Sequence, residues 1–242
     1  MNTLANLSFS RAAPHYRRFA HVQAAMADWL AEWAPASRNG AALEIGAGTG
    51  LFTQRLLPWS GRYVATDLSP EMCEEGRHLL PAIEWSDMAA EDPLSGPWDW
   101  IFSASMLQWA EYPAAILDAW RHVLRPGGKI LAGFFVDGSL PELRQLTHGW
   151  APLVWHAPRF WEETIVRSGL QLTRSECIER VFWHDSALEM LRGLHGVGAS
   201  PVRRYAAGEL RNIIKHYEAE FRVGHRVRST WKFYRLEATA PD

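Results

Sequence analysis

The feature that most constrains the fold of this chain is a short apolar segment, 41–45, that ends in three glycines at alternate positions, Gly46, Gly48 and Gly50. Residues 51–57 then begin a helical pattern. Glycine is favoured where a turn needs positive φ angles or where a ligand approaches the main chain closely. The free N–H groups at the start of the following helix also favour a polar ligand. The segment therefore predicts a strand, a tight turn and a helix that together bind a ligand.

Two acidic residues near this turn narrow the choice of ligand. The glycine spacing differs from the G-x-G-x-x-G pattern of dinucleotide-binding proteins, because the third glycine comes one residue early. Glu44, just before the turn, would repel a pyrophosphate but attract an ammonium or a sulfonium. Asp67 ends the next apolar run, 63–66, where a carboxylate can accept both hydroxyls of a ribose. A glycine-rich turn of some other βαβ unit is the alternative.

Together these residues resemble the nucleoside-binding half of class I S-adenosylmethionine (SAM) methyltransferases. SAM is therefore the expected cofactor. Met72 lies one turn into the next predicted helix and can pack against an adenine. Asp87 and Met88 follow the third predicted strand, where the acid can accept from an adenine amino group and the methionine can form an apolar wall. The candidate cofactor-binding residues are Glu44, Gly46, Ala47, Gly48, Gly50, Asp67, Leu68, Met72, Asp87, Met88 and Ser103.

The alternation of apolar runs and helical patterns through residues 41–135 predicts five parallel strands in a doubly wound, Rossmann-like α/β sheet. Two later strands, 170–183 and 223–238, are expected to add an antiparallel pair at one edge, which makes a seven-stranded sheet. The expected domain is a single one, 1–242, with a helical lid over the carboxyl edge of the sheet. The predicted lid segments are about 8–34, 138–168 and 186–217.

Composition and charge argue against several other classes of protein. A formal charge of −2 is unlike that of a dedicated nucleic-acid binder, which is usually basic. No run approaches the ~18 apolar residues of a membrane span, the N-terminus lacks a signal-peptide pattern, and the histidines lack metal-ligand spacing. Two cysteines, Cys73 and Cys177, make no disulfide framework and favour a reducing compartment. We expect a cytoplasmic protein with no metal, nucleic-acid or membrane partner.

Four stretches outside the cofactor motifs carry a narrower resemblance. They are 9–16 (FSRAAPHY), 107–109 (LQW), 138–143 (GSLPEL) and 191–199 (LRGLHGVGA). These stretches are similar to those of bacterial malonyl-acyl-carrier-protein O-methyltransferases of biotin synthesis, and the similarity extends over nearly the whole chain. The resemblance implies methylation of the free carboxylate of a malonyl thioester, with acyl carrier protein as the partner that presents it.

Two features depart from the family pattern and leave the acceptor less constrained than the cofactor. Ala104 stands where the family usually has an asparagine, and the stretch between Ala199 and Leu210 is shorter than in typical members. One alternative is therefore a methyltransferase of a small free acid or phenol, which would share every cofactor motif. Another is a SAM-fold binding protein without catalysis, which Ala104 would allow but the intact glycines with Glu44, Asp67 and Asp87 argue against.

Methyl transfer to a carboxylate needs little acid–base chemistry, because a carboxylate is already ionised at pH 7. The enzyme must instead orient the acceptor and remove water from it. The candidate catalytic residues for this task are Tyr16, Gln108, Trp109 and Arg144, the last of which could hold an anionic acyl group. From residue 201 onward, nine Lys and Arg stand against five acids, a charge that suits an acidic carrier protein.

Overall fold

The computed structural model describes residues 3–147, 155–199 and 205–242. Its strands, in chain order, are β1 (Ala42–Ile45), β2 (Tyr63–Asp67), β3 (Glu84–Asp87), β4 (Trp98–Ala104), β5 (Leu124–Phe135), β6 (Gln171–His184), β7 (Arg222–Val223) and β8 (Arg226–Thr239). They form one sheet in the order β3-β2-β1-β4-β5-β8-β6, with β7 paired to β8. The first five strands are parallel, and β8 runs antiparallel to both β5 and β6. The predicted doubly wound sheet with an antiparallel C-terminal pair is confirmed.

The α-helices are α1 (Thr3–Ala12), α2 (Tyr16–Phe19), α3 (His21–Ala31), α4 (Thr53–Leu56), α5 (Pro70–Leu79), α6 (Pro113–Val123), α7 (Pro141–Thr147), α8 (Pro158–Arg167), α9 (Ala187–Gly196) and α10 (Ala207–Phe221). Short 3₁₀ helices cover Ala13–His15 and Leu107–Trp109. Among the described residues, no helix is both long and apolar enough to cross a bilayer.

Two details of the sheet differ from the sequence-based expectation. The sheet has an eighth strand, because β7 and β8 form a short hairpin before β8 crosses the molecule. Strand β5 also begins at Leu124 and so includes Pro126, Gly127 and Gly128, residue types that favour a turn before the strand. The reason is that Leu124 pairs with Trp98, while the Gly128 carbonyl accepts from the N–H of Ala240 and holds the turn alongside the end of β8.

Alternation along the central strands places apolar side chains on both faces of the sheet. Ile101 of β4 packs with Trp120 of α6 on one face. Its neighbour Phe102 packs with Leu30 of α3 on the other. Because both faces are covered, the carboxyl ends of the strands are left as the edge where a ligand can enter.

Helix α8 lies within a segment that was predicted to be part of the lid, 138–168. Its Trp161 and Ile165 pack on the same face of the sheet as α6, and the rings of Trp161 and Phe134 have centroids 4.5 Å apart. This helix therefore covers the sheet. Residues 148–154 of that segment, and 200–204 of the third predicted lid segment, lie outside the described residues. The division into one domain and three lid segments stays a prediction.

The join between the parallel and antiparallel parts of the sheet is crossed by a buried carboxylate, Glu237 of β8. Its side chain is 5% exposed and lies 2.9 Å from Lys129 Nζ of β5 and 2.6 Å from Arg174 Nη2 of β6. Burial by itself would raise the pKa of Glu237, but the hydrogen bonds from Lys129 and Arg174 outweigh it and lower the pKa. The stability that this group contributes is therefore present above the unfolded pKa of about 4.3 and is lost as the pH falls through the folded value.

We expect Glu237→Gln to lower the free energy of unfolding at pH 7 by about 1–3 kcal/mol, because two charge-assisted hydrogen bonds are lost. Urea unfolding at pH 7 and pH 3.5 measures the effect, and the difference from the parent protein should shrink at the lower pH. The matched control is Glu179→Gln, since Glu179 is 52% exposed and pairs with Lys232. Its effect should stay below about 0.5 kcal/mol, and equal losses for the two variants would contradict the prediction.

Candidate active site

The turn after β1 requires glycine for two reasons: its backbone angles, and the side chains that pack closely against it. Gly46, Gly48 and Gly50 all have positive φ angles, of 72°, 57° and 84°. A Cβ atom on Gly46 would collide with the side chain of Met106, and one on Gly50 would meet Leu80 at 2.8 Å. A Cβ atom on Gly48 would have no neighbour within 4 Å. The first and third glycines therefore allow tight packing, and the second leaves open space above the turn.

That open space belongs to a cleft at the carboxyl edge of the sheet, which we call the glycine-turn cleft. It encloses about 880 Å³, part of it open to solvent. It brings together most of the residues that the sequence nominated. The nominated residues that line it are Tyr16, Glu44, Gly46, Ala47, Gly48, Asp67, Leu68, Met72, Met88 and Trp109.

Glu44 is a fully buried acid beneath the turn. Its Oε2 accepts hydrogen bonds from Tyr63 OH at 2.5 Å and from Thr53 Oγ1 at 2.6 Å. Its Oε1 is buried and has no hydrogen-bond partner among the described residues. Burial raises the pKa of Glu44 to about 7, although the bonds from Thr53 and Tyr63 oppose the shift. A cation in the cleft would satisfy the free oxygen and favour the ionised form.

Asp67, at the end of β2, joins the two loops that form the floor of the cleft. Its Oδ2 accepts from the N–H of Gly48 at 2.9 Å, and its Oδ1 accepts from the N–H of Ser69 at 2.9 Å. Burial raises the pKa of Asp67 despite these bonds. Each carboxylate oxygen keeps a second lone pair, so Asp67 can hold the loops and still accept hydroxyl groups from a ligand.

The N-terminal helices close over these same loops. Arg17 of α2 donates from Nη2 to the Thr49 carbonyl at 2.9 Å, and Ser10 Oγ lies 3.0 Å from Ser69 Oγ. Between these contacts Tyr16 lines the cleft, and burial raises the pKa of its phenol. The prediction that this region caps the mouth of the cleft therefore has a physical basis in two hydrogen-bonded contacts.

A second cleft of about 420 Å³, which we call the aromatic cleft, adjoins the first. The two clefts share Phe9, Tyr16, Gln23, Ser105 and Trp109. At this junction the rings of Phe9 and Trp109 meet edge to face, with centroids 4.9 Å apart. The other residues of the aromatic cleft are Gln108, Phe135, Leu140, Trp155, Leu194, Val197, Ala199 and Trp231.

Four nominated residues do not line either cleft. Gly50 packs against Leu80, as described above, and Ser103 Oγ donates to the Ile45 carbonyl at 2.9 Å. Asp87 is exposed at the end of β3, although its neighbour Met88 lines the glycine-turn cleft. Arg144 lies on the exposed side of α7, with Nη1 2.7 Å from Asp137 Oδ1. Their roles in ligand binding stay predictions, and the structure offers no contact that supports them.

Comparison with known proteins places this site in a family. Residues 43–130 match the family described as a methyltransferase domain. The malonyl-[acyl-carrier protein] O-methyltransferase of Hahella chejuensis is 33% identical, and the match covers 87% of this chain and 81% of that protein. The chain belongs to this family. The enzyme of the same name from Enterobacter lignolyticus is 31% identical over 80% of this chain and 78% of its own length.

As a member of this family, the chain is a SAM-dependent methyltransferase. Solved structures agree on the fold: the YcgJ protein of Bacillus subtilis superposes with a TM-score of 0.66 at 14% identity, covering 90% of this chain and 99% of that one. The residues of the glycine-turn cleft fit SAM. Glu44 has an unpartnered oxygen that suits a cationic ligand, Asp67 has lone pairs that suit hydroxyls, and Met72 and Met88 line the cleft with apolar side chains.

The sequence alone does not indicate every residue that lines the two clefts. Phe9 was noted only as part of a family stretch, and Gln23, Glu91 and Ile116 were not nominated although they line the glycine-turn cleft. Residue type gives no indication for Gln23, because the segment 8–34 holds several other polar residues, among them His21 and Asp28. For Ser105 the sequence indicates only that the segment 104–109 lies at the carboxyl edge of the sheet, because which of its residues lines a cleft depends on how the loop after β4 turns. Among the described residues, no three His, Cys, Asp or Glu side chains group as metal ligands.

The raised pKa of Glu44 predicts a gain in stability from its amide analogue. The folded pKa of about 7 lies above the unfolded value of about 4.3, so Glu44 costs progressively more stability as the pH rises between these values. We expect Glu44→Gln to raise the free energy of unfolding by about 1–3 kcal/mol at pH 8 and to leave it unchanged at pH 4.

Thermal or urea unfolding at the two pH values provides the measurement. Glu84→Gln is the control, because Glu84 is 54% exposed and pairs with Arg62 at the surface. A Glu44→Gln variant that is equally destabilised at pH 4 and pH 8 would show that the hydrogen bonds of Glu44, and not its ionisation, dominate.

Proposed function

We propose that this enzyme transfers the methyl group of SAM to the free carboxylate of a malonyl thioester carried on acyl carrier protein, an early step of biotin synthesis in the cytoplasm. The observation that carries the proposal is the junction of the two clefts at Tyr16, Ser105 and Trp109. One side of the junction suits a cationic nucleoside. The other is largely apolar and is lined by residues from all four stretches that resemble the malonyl-acyl-carrier-protein enzymes.

The reaction is an in-line displacement that removes no proton. SAM supplies a methyl group bound to a positively charged sulfur. A carboxylate oxygen attacks the methyl carbon, the carbon–sulfur bond breaks, and its electron pair remains on sulfur. The negative charge of the carboxylate and the positive charge of the sulfonium cancel, so the ester and the thioether that form are both neutral. The protein has to align the two groups and exclude water, which agrees with a junction rich in aromatic rings.

The proposed roles of the residues follow from their positions. Glu44 would hold the cationic amino-acid end of SAM, and Asp67 would accept the ribose hydroxyls. Tyr16 and Trp109 border both clefts, so they would enclose the reacting atoms. Gln108 lines the aromatic cleft only and would orient the acceptor.

The basic C-terminal region offers less free charge to a carrier protein than its composition suggests. Five of its cations pair with acids of the same chain: Arg222, Arg226, Arg228, Lys232 and Arg235. Arg211 and Lys215 are exposed on α10 and have no ion-pair partner among the described residues. Arg203 and Arg204 lie outside the described residues. We propose that Arg211 and Lys215 contribute to binding the acidic carrier protein.

The decisive experiment offers the purified enzyme malonyl-acyl carrier protein, malonyl-coenzyme A and free malonate, each with SAM, and detects methyl esters by mass spectrometry. The proposal expects the carrier-bound substrate to have the highest kcat/KM. Preference for free malonate would favour a small-acid methyltransferase. SAM binding in calorimetry without any methyl ester would favour a binding protein.

The docking proposal is tested with a double variant that carries both Arg211→Glu and Lys215→Glu. This variant should raise KM for malonyl-acyl carrier protein and leave KM for malonyl-coenzyme A unchanged.

Asp67→Asn should weaken SAM binding by about 1–3 kcal/mol, because it replaces a charged acceptor of the ribose hydroxyls with a neutral one. Calorimetry at pH 7.5 measures this change. Asp87→Asn is the informative companion, since the sequence assigns Asp87 to an adenine amino group although it does not line the cleft; an effect below twofold would remove that assignment. A large loss for Asp87→Asn together with none for Asp67→Asn would reverse the two assignments.

A further inference from the structure

Ser105 occupies an unusual position directly after β4. It is one of five residues that border both clefts, and its φ of +58° places it in the left-handed region, where residues other than glycine are uncommon. Non-glycine residues in this region persist only where the surrounding structure holds them, and they cluster at functional sites. Met106, the next residue, packs against Gly46 of the glycine turn.

The backbone of Ser105 is fully engaged, but its hydroxyl is not. Its N–H donates to the Gly133 carbonyl at 2.7 Å, and its carbonyl accepts from Gln108 Nε2, also at 2.7 Å. Its Oγ is buried and has no hydrogen-bond partner among the described residues. Buried polar atoms in native proteins nearly always have partners. The Ser105 hydroxyl at the junction is therefore free to form a hydrogen bond with a bound ligand.

A second unpartnered atom lies on the residue bonded to Ser105. Gln108 is 9% exposed, and its Oε1 is also buried without a partner in the described structure. The amide cannot be reversed to change this, because Oε1 would then face the Ser105 carbonyl. Of these two unpartnered atoms, Gln108 Oε1 can only accept a hydrogen bond, whereas Ser105 Oγ can donate one and lies at the junction. A carboxylate ligand accepts hydrogen bonds and donates none, so it matches the serine hydroxyl.

We infer that Ser105 is a substrate-binding residue that donates a hydrogen bond from its hydroxyl to the acceptor carboxylate and holds it at the methyl group. This inference rests on the proposed function. It also bears on Ala104, whose methyl side chain lines the glycine-turn cleft where the family usually has an asparagine. In this chain the polar group stands one residue later, at the junction.

Three substitutions separate the hydroxyl from the backbone conformation. Ser105→Gly removes the hydroxyl and fits a positive φ without strain. Ser105→Ala removes the same hydroxyl but keeps the strain. Ser105→Asn tolerates the left-handed region and restores an N–H donor. All three are assayed for SAM affinity by calorimetry, for thermal stability, and for kcat and KM with malonyl-acyl carrier protein.

We expect Ser105→Gly and Ser105→Ala to lose about ten- to hundredfold in kcat/KM, the effect of one hydrogen bond to a charged group. SAM affinity should stay within twofold, and Ser105→Asn should recover part of the activity. Full activity of Ser105→Gly would overturn the inference while leaving the proposed function intact. A parent enzyme that forms no ester on malonyl-acyl carrier protein would overturn both.

Discussion

The site depends on two hydrogen bonds that the carboxylate of Asp67 accepts. One of its oxygens accepts from Gly48 in the turn after β1, and the other accepts from Ser69 in the loop after β2. These two hydrogen bonds fix the separation between two loops that lie apart in the sequence. The turn could take other shapes, since its glycines permit many backbone angles. An acid at the end of β2 selects one of them and leaves lone pairs for the ligand.

The elements above this floor are attached to it and to one another by similarly specific contacts. Arg17 and Ser10 tie the N-terminal helices to the two loops. The glycines of the 191–199 stretch then allow α9 to approach those helices: a Cβ atom on Gly196 would collide with Phe19, and one on Gly198 would lie 2.9 Å from Phe9. This stretch, which helped to indicate the family, therefore joins two covering segments beside the aromatic cleft.

The GSLPEL stretch has a comparable structural role. Glu142 is 2% exposed and accepts from both the N–H and the hydroxyl of Thr230 in β8, while the Ser139 hydroxyl accepts from the N–H of Lys232. These bonds fix α7 on the sheet and direct Leu140, which has a φ of +51°, into the aromatic cleft. A stretch that helped to indicate the family thus shapes the aromatic cleft.

The sequence by itself determined the strand, glycine turn and helix around Gly46, the acids Glu44 and Asp67, and the alternation of strands and helices, because each depends on spacing within a few residues. The tertiary structure decided what spacing could not. Asp87 and Arg144 lie outside the clefts. Helix α8 packs on the face of the sheet although the sequence indicates a lid segment there, and Ser105 lies at the junction. These outcomes depend on packing between distant segments: Met106 against Gly46, Trp161 against Phe134, and Ser105 bonded to Gly133. No local pattern encodes such contacts, since each requires two parts of the chain to meet.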